Sequence, residues 1–467
     1  MHSLGKGFAR LLVAASVCLV AAPANAIPAF ARKYGTSCQT CHTIYPKLTP
    51  FGEGFRRNGY RFPGIDSDFV KQEPVALGQE GYKKVFPNAV WPGTLPSGVP
   101  IALGFNGMAV LHPDVNSGGG QADNGTAFST RDLVAEAHVY AGGSYDDKIT
   151  YFSEVTVGTD GTIDVEHAHV HFNDLLGPAH LVNLSVGKQA LMLSSFGAHS
   201  SYVADMLMAS APVAGLYGAT SDTFNLNDHY TGVELSGVAM GRLDYSVGLN
   251  AGANLLVRPT ENVYAHLGYK LGGLRLDGEN AQGAGNAEKP WAETAFTLDA
   301  FAYHANSQFT SAGGTTTQDT ALVYGGGLRL QVQSFELSSG LYLESHNHAQ
   351  ADNEGLDNPE ENGAKFLVQY NELSYVVFPW LVPAVRVEYL MATPQGGTGV
   401  TNLRVMPGVA MLIRPNLKAT VVAQFEMANG APPGGWGEAG GLAAPSEETP
   451  NVPFENESVT IGLATAF

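Results

Sequence analysis

From residue 101 to its end, the chain consists of short stretches in which apolar and polar residues alternate. Clusters of Gly, Asn, Asp and Pro separate these stretches, which is the pattern of short β-strands joined by turns. We find no convincing amphipathic helix there and no apolar run long enough for a transmembrane helix. In the last stretch Val459, Ile461 and Leu463 alternate with small or polar residues, and the chain ends on Phe467. This pattern predicts an all-β fold.

A closed transmembrane antiparallel β-barrel of about 16 strands explains these features best. A final alternating strand with a terminal aromatic residue is typical of barrels in bacterial outer membranes, which have an even number of strands. A soluble β-sandwich or propeller shares the short strands, but the low content of charged residues, 15%, favours a barrel. Candidate strands begin near residues 101, 130, 147, 164, 181, 230, 242, 262, 294, 319, 334, 364, 379, 402, 416 and 456.

The predicted connections alternate between tight turns and long polar loops. Short periplasmic turns and longer outer loops are the known asymmetry of such barrels. Asn306–Gln318 and His346–Gly363 are two of the predicted long loops. The stretch from Gly272 to Glu293 is long where a short turn is expected, so a missed strand around Leu274–Asp277 is an alternative.

The first 26 residues predict a secretory signal peptide. Lys6 and Arg10 precede the apolar run Leu11–Ala22, and Ala24-Asn25-Ala26 has the small-x-small cleavage pattern. The apolar run is short for a membrane span. We therefore expect an exported protein of a Gram-negative outer membrane, divided into a signal peptide (1–26), a cofactor segment with linker (27–100) and the barrel (101–467).

Only three cysteines occur, which excludes a disulfide scaffold. Cys38, Cys41 and His42 form C-x-x-C-H, the attachment pattern of c-type haem. Two thiols on one helical turn reach the two vinyl groups, and the adjacent imidazole is the proximal iron ligand. A redox motif would need a βαβ context, and a zinc site would need a second ligand pair nearby; the sequence offers neither. We predict one covalent haem c on a small helical segment.

The distal iron ligand is left open by the sequence. Met is the usual sixth ligand of electron-carrying c-type cytochromes, but neither a Met nor a second His occurs between His42 and Pro100. The alternatives are a residue from elsewhere in the chain, a Lys, a water molecule or a five-coordinate iron. Because the segment is too small to bury a haem alone, we expect the barrel to cover it.

His167, His169 and His171 alternate along one predicted strand, so their imidazoles share its lumen face. They are candidates for a metal site, a proton relay or the distal haem ligand; alternatively, a polar lumen simply tolerates histidine. The acidic stretch Asp352–Glu361, flanked by His346 and His348, is a candidate for concentrating ferrous ions at the outer rim, or else a solvated loop.

Basic and aromatic residues surround the haem motif. The basic side chains are candidates to pair with haem propionates or with carboxylates of the barrel, and the aromatic ones to pack on the macrocycle or in a small core. They are Arg32, Lys33, Arg56, Arg57 and Arg61, with Tyr34, Phe51, Phe55 and Tyr60.

Several of these motifs occur together in one known family. Phe30–Gly35, the C-x-x-C-H motif and Phe51–Tyr60, with the later Phe172–Pro178 and Leu184–Lys188, resemble the fused monohaem cytochrome–porins, which include outer-membrane iron-oxidising cytochromes. The resemblance covers essentially the whole mature chain, and its N-terminal motif is the specific part. It implies haem ligation by Cys38, Cys41 and His42, with the haem segment in or under a sixteen-stranded barrel.

The resemblance also implies a function. An electron conduit would take electrons from an extracellular donor, foremost Fe(II), and pass them to a periplasmic c-type cytochrome. A solute porin with a structural or sensory haem, and a conduit that exports electrons, are the alternatives. One-electron transfer needs no general acid or base, so no catalytic residue is assigned and enzyme status is left open. Acidic residues outnumber basic ones by 43 to 25, which disfavours a nucleic-acid partner; outer-membrane lipid is the expected surrounding.

Overall fold

Sixteen long antiparallel strands of the described chain close into a barrel, each paired with its sequence neighbour and the last with the first. The computed structural model describes residues 29–62, 70–71, 75–76, 84–85, 94–95, 101–112, 127–129, 136–145, 148–159, 161–191, 193, 229–251, 262–278, 288–310, 316–347, 363–430 and 454–466. The predicted fold class is therefore confirmed for the barrel.

The sixteen strands have the following bounds. They are β1 Ile101–His112, β2 Glu136–Ser144, β3 Ile149–Gly158, β4 Ile163–Phe172, β5 Asn183–Ala190, β6 His229–Ala239, β7 Leu243–Asn250, β8 Val263–Gly272, β9 Glu293–Thr310, β10 Thr316–Gln333, β11 Phe335–His346, β12 Ala364–Tyr375, β13 Leu381–Pro394, β14 Val400–Arg414, β15 Leu417–Ala428 and β16 Phe454–Ala466. Three-residue Ala127–Ser129 also pairs with the end of β1.

The barrel wall is apolar outside and largely polar inside. In β8, Tyr264, His266 and Lys270 are buried, whereas Leu267 and Leu271, each directly after a buried residue, are 53% and 52% exposed. Because successive side chains of a strand point to opposite faces, the exposed apolar set faces outward and the buried polar set faces the lumen. This arrangement suits a barrel surrounded by lipid.

The shortest turns of the described strands, those between β6 and β7, β10 and β11, and β14 and β15, lie at the end where β1 begins and β16 ends, which we call the lower end. Short turns mark the periplasmic side of such barrels. One prediction about connections is wrong. The predicted loop Asn306–Gln318 is largely strand, since β9 continues to Thr310 and β10 begins at Thr316. The second strand, predicted from near residue 130, is described from Glu136, and residues 130–135 lie outside the described ranges.

No strand forms at Leu274–Asp277, so that alternative is also wrong. Leu276 and Asp277 are buried, and the backbone carbonyl of Asp277 accepts a 2.8 Å hydrogen bond from Asn58 Nδ2. The unusually long lower connection is explained by this packing, because it covers the N-terminal segment.

The N-terminal segment, residues 29–62, contains three short helices and a small hairpin. The helices are α1 Ala29–Tyr34, α2 Cys38–Cys41 and α3 Pro50–Arg57. In the hairpin, His42–Ile44 pairs with Lys47–Leu48. Thr49 caps α3 by accepting a 3.1 Å hydrogen bond from Gly52 N, and Pro50 occupies the first turn, where its missing N–H costs nothing. None of the described helices is long and apolar enough to cross a membrane.

The upper part of the lumen contains a cluster of buried aromatic and aliphatic side chains. Tyr230, Tyr264, Tyr303, Tyr342 and Phe366 are all buried in it. The polar side chains below include the buried ion pairs Arg386–Glu372 and Arg404–Glu426. The alternation of the sequence alone predicts a uniformly polar lumen. The structure shows instead that part of the lumen is apolar.

Candidate functional site

Residues 29–62 lie inside the lower end of the barrel, and we call them the plug. Ile44, only 1% exposed, packs against lumen-facing side chains that include Val382, Met406, Ala410 and Val422. Around the rim, Lys33 Nζ donates to Ser144 Oγ at 2.7 Å, an additional polar contact to the wall. The plug is therefore held by a hydrophobic anchor as well as by polar contacts.

Ion pairs connect the plug to the wall. Arg57 Nε lies 2.7 Å from Asp244 Oδ2, and Arg61 Nη1 lies 3.1 Å from Asp174 Oδ2. The sequence left two alternatives for the basic residues, haem propionates or carboxylates of the barrel. For Arg57 and Arg61 the structure shows wall carboxylates as partners. Arg56 instead lines the cavity described below.

Arg329 on β10 is the centre of a second set of ion pairs. Its guanidinium makes two 2.9 Å hydrogen bonds to the carboxylate of Glu336 and also pairs with Glu53 of the plug. Lys47 of the plug pairs with the same Glu336. Two plug residues and two wall residues thus share one buried network.

This network predicts that the plug loosens in acid. Burial tends to raise the pKa of Glu53, but the charges of Arg329, Lys270 and Arg57 outweigh it and hold that pKa at about 2, below the ordinary 4.5. Because the folded-state pKa is depressed, the stabilisation is complete above pH 4.5 and is lost as pH falls towards 2. We expect protease cleavage of the plug to increase over that interval.

The control is Glu53→Gln, which removes the titrating group. Cleavage of this variant should be higher at pH 7 and should change less between pH 4.5 and 2. Equal pH profiles for the two proteins would contradict a role for Glu53 in holding the plug.

The predicted haem residues meet at one cavity. Cys38, Cys41 and His42 all line a cavity of about 220 Å³ between the plug and the wall, and the two thiols are not joined to each other. Helix α2 places Cys38 and Cys41 three positions apart, on neighbouring positions of one turn. The remaining lining is mainly apolar and includes Phe55 and Phe152, which suits a flat apolar macrocycle.

His42 makes the backbone hydrogen bond expected of an iron ligand. Its Nδ1 donates a 3.2 Å hydrogen bond to the carbonyl of Pro46, which leaves Nε2 as the acceptor nitrogen. Burial lowers the pKa of His42 to about 4, so the ring is neutral, the form that binds metals. Burial also raises the pKa of both cysteines, that of Cys41 to about 12. Two free thiols and a metal-binding imidazole at one apolar cavity fit a covalent c-type haem.

Gly52 allows α3 to lie directly on the haem motif. A Cβ built at Gly52 would stand 2.1 Å from the carbonyl oxygen of Cys41, a distance that real Cβ atoms do not reach. Gly54 of the same helix has its nearest such contact at 3.6 Å, which is ordinary van der Waals distance.

We predict that Gly52→Ala lowers haem incorporation severalfold, because α3 must move away from Cys41. Gly54→Ala is the matched control and should keep wild-type content, since Ala also favours helix. Haem per protein, measured by haem-stained gels and pyridine haemochrome spectra, checks this. Equal content in both variants would show that the close approach is unimportant.

The three lumen histidines are neighbours, but they have different surroundings. His167 lines the cavity, whereas His169 and His171 are absent from its described lining. The three rings follow one another at 5.6 Å and 4.7 Å between centroids, and Tyr60 of the plug lies 6.2 Å from His169 and 6.1 Å from His171. Within the described ranges no three His, Cys, Asp or Glu side chains are arranged to hold a metal ion.

Sequence reasoning missed two wall residues of the cavity, Tyr140 and Glu154. Tyr140 Oη lies 3.1 Å from Tyr45 Oη of the plug, and Glu154 Oε1 lies 3.1 Å from His138 Nδ1. Their only sequence signal was a lumen-facing position. Of the predicted aromatic residues, Tyr34, Phe55 and Tyr60 line the cavity, whereas Phe51 packs 5.1 Å from Phe62.

Some predictions concern residues outside the described ranges. The signal peptide 1–26, the acidic stretch 352–361 with His348, and Phe467 lie there. His346 is described: it is buried in the lumen at the upper end of β11, between Asp319 Oδ2 at 2.5 Å and Glu344 Oε1 at 2.7 Å.

Comparisons with known proteins bear on the barrel. No protein-family model and no curated protein matches the sequence. Among solved structures, the anion-selective porin from Comamonas acidovorans covers 79% of this chain and 98% of its own length, with 10% identity and a TM-score of 0.50. OmpT of Vibrio cholerae covers 81% and 99%, with 14% identity and a TM-score of 0.47. OmpF of Salmonella typhi covers 79% and 97%, with 11% identity and a TM-score of 0.45. At 10% identity, the likeness to the first of these establishes the fold alone, that of an outer-membrane porin barrel.

Proposed function

We propose that this chain is an outer-membrane electron conduit of the fused monohaem cytochrome–porin kind. It takes electrons from an extracellular donor, Fe(II), and delivers them through one covalent haem c to a periplasmic c-type cytochrome. The observation that carries the proposal is the convergence of Cys38, Cys41 and His42 on one apolar cavity between plug and wall. When bound, the haem supplies a one-electron couple whose potential depends on its axial ligands and burial.

The plug favours electron flow over solute flow. Ile44 and the Lys47–Glu336 and Glu53–Arg329 pairs hold it in the lower end of the lumen. A solute porin needs a water-filled channel, whereas a tethered cofactor needs a rigid support. The same contacts that narrow the lumen fix the haem-binding residues relative to the wall.

Carboxylates and a histidine line the lumen above the cavity. His138 Nε2 lies 3.5 Å from Glu136 Oε2, its Nδ1 lies 3.1 Å from Glu154 Oε1, and Glu154 lines the cavity. Within the described ranges these groups are not arranged to hold a metal ion. The carboxylates give a cationic donor a favourable electrostatic path towards the haem.

The cavity also extends to the lower end, where a periplasmic carrier would dock. Pro415 and Asn416, in the turn between β14 and β15, belong to its lining. Tyr45 of the plug lines it too and is 36% exposed. We therefore place the docking site of a soluble cytochrome on this side of the barrel.

A solute porin with a structural or sensory haem is the second candidate. The closed sixteen-stranded barrel and its likeness to the anion-selective porin favour it more directly than they favour a conduit. A conduit that exports electrons to an external acceptor has the same architecture and differs in haem potential.

The test is to mix the oxidised, detergent-purified protein with Fe(II) and to measure haem reduction, haem potential and single-channel conductance. The conduit predicts rapid reduction of one c-type haem and a low conductance. A large steady conductance with an unreactive haem supports the porin, and a low potential with no reaction supports export. Absence of covalent haem would refute all three haem-based functions.

A further inference from the structure

We infer that His167 is the distal ligand of the haem iron, an inference that rests on the haem site proposed above. Of the described side chains that line the cavity, two carry an imidazole: His42 on the plug and His167 on the wall. No methionine belongs to that described lining. Imidazole binds iron well and is a common axial ligand, so a wall histidine can supply the sixth ligand that the plug lacks.

A β-bulge lies directly before His167. Glu154 on β3 pairs with His167, but the next residue, Val155, pairs with Val165, so Glu166 is an extra residue in β4. Bulges of this kind occur next to functional sites, where they re-aim a side chain. The bulge lies directly beside the one histidine of the three that reaches the cavity.

Neighbouring side chains hold the His167 ring in place. The ring lies edge-on to His229 at 4.2 Å and to Phe152 at 5.3 Å between centroids. His167 Nε2 lies 3.9 Å from Glu154 Oε2. This distance is longer than a hydrogen bond, and Glu154 Oε1 instead lies 3.1 Å from His138 Nδ1. Packing against the two neighbouring rings is therefore the contact that supports His167.

The other two histidines of the strand have different surroundings. His169 Nδ1 donates a 3.2 Å hydrogen bond to the backbone carbonyl of Lys188. His171 lies edge-on to Tyr60 of the plug. Neither reaches the described lining of the cavity, so His169 is a matched control that shares the strand and face of His167.

The experiment replaces the ligand and reads the haem directly. In the purified full-length His167→Met variant we expect a sulfur-to-iron charge-transfer band in the far-red spectrum and an upward shift of haem potential, because Met in place of His raises it. His167→Ala should give a high-spin oxidised haem that returns to low spin when imidazole is added. His169→Met should leave spectrum and potential unchanged.

Several outcomes would overturn the inference. The inference is wrong if the haem of the wild type is already high-spin, or if His167→Ala keeps the low-spin spectrum of the wild type. It is also wrong if the haem potential shifts equally in the His167→Met and His169→Met proteins. Loss of the low-spin signal in Lys418→Gln instead would assign the ligand to Lys418, which also lines the cavity. Heat-dependent gel mobility of the barrel verifies that each variant is folded. Wild-type protein without covalent haem would refute the proposed function itself, a result distinct from all of these.

Discussion

A Cys38→Ala, Cys41→Ala double variant is expected to lose its covalent haem completely while the barrel still assembles. Thioether bonds to the two vinyl groups require both thiols, and these are the two cysteines that line the cavity. The sixteen-strand wall does not depend on them, because its strands pair with one another and not with α2. Fe(II)-dependent absorbance changes should disappear together with haem staining.

The control for this variant is His169→Ala, which alters a lumen-facing side chain outside the described lining of the cavity. It should retain haem and Fe(II) reactivity. Covalent haem in the double variant, or Fe(II)-dependent changes that survive without it, would contradict the assignment of the C-x-x-C-H motif.

Arg329→Met is expected to release the plug and to raise the conductance of the barrel severalfold. The substitution leaves the carboxylates of Glu53 and Glu336 without their shared guanidinium in a buried site. Removing one partner of a buried ion pair costs about 3–5 kcal/mol. Because Glu53 belongs to the plug and Glu336 to the wall, the substitution weakens the contact between plug and wall. Planar-bilayer recordings and protease cleavage of the plug measure the effect.

Arg386→Met is the matched control. Arg386 is a fully buried lumen arginine that pairs with Glu372 and Glu388 of the wall. Its loss should destabilise the barrel without freeing the plug, so conductance should stay near that of the wild type. If both variants open the channel equally, or if neither does, the proposed role of the Arg329 network is wrong.

The barrel could be predicted from the sequence because each strand shows its own pattern of alternating residues within a short stretch of chain. Alternation along each strand, as in β8, defines which side chains face lipid, and the fifteen predicted starts other than that near residue 130 lie within a few residues of those observed. The errors arose where local pattern and tertiary packing differ. The long lower connection before Glu293 resembled an omitted strand, but its burial against Asn58 explains its length.

The haem motif could also be predicted, because its three residues lie within five positions of the sequence. The contacts around it could not, because they join residues that are far apart in the chain. Glu53 and Arg329 are 276 positions apart, and Lys47 and Glu336 are 289 apart. The residue pattern of the plug or of the wall strands does not predict such pairs. His167, His169 and His171 were equivalent in sequence, and the bulge at Glu166 together with the position of the plug distinguishes them.

Electron transfer across a closed membrane tests the account most directly. The protein is reconstituted into vesicles that contain oxidised cytochrome c and a small trapped dye, and Fe(II) is added outside. A haem-dependent conduit should reduce the trapped cytochrome while the dye is retained, and cytochrome trapped with the Cys38→Ala, Cys41→Ala variant should stay oxidised. No reduction with the wild type, or reduction only when the dye escapes, would contradict a haem-dependent conduit.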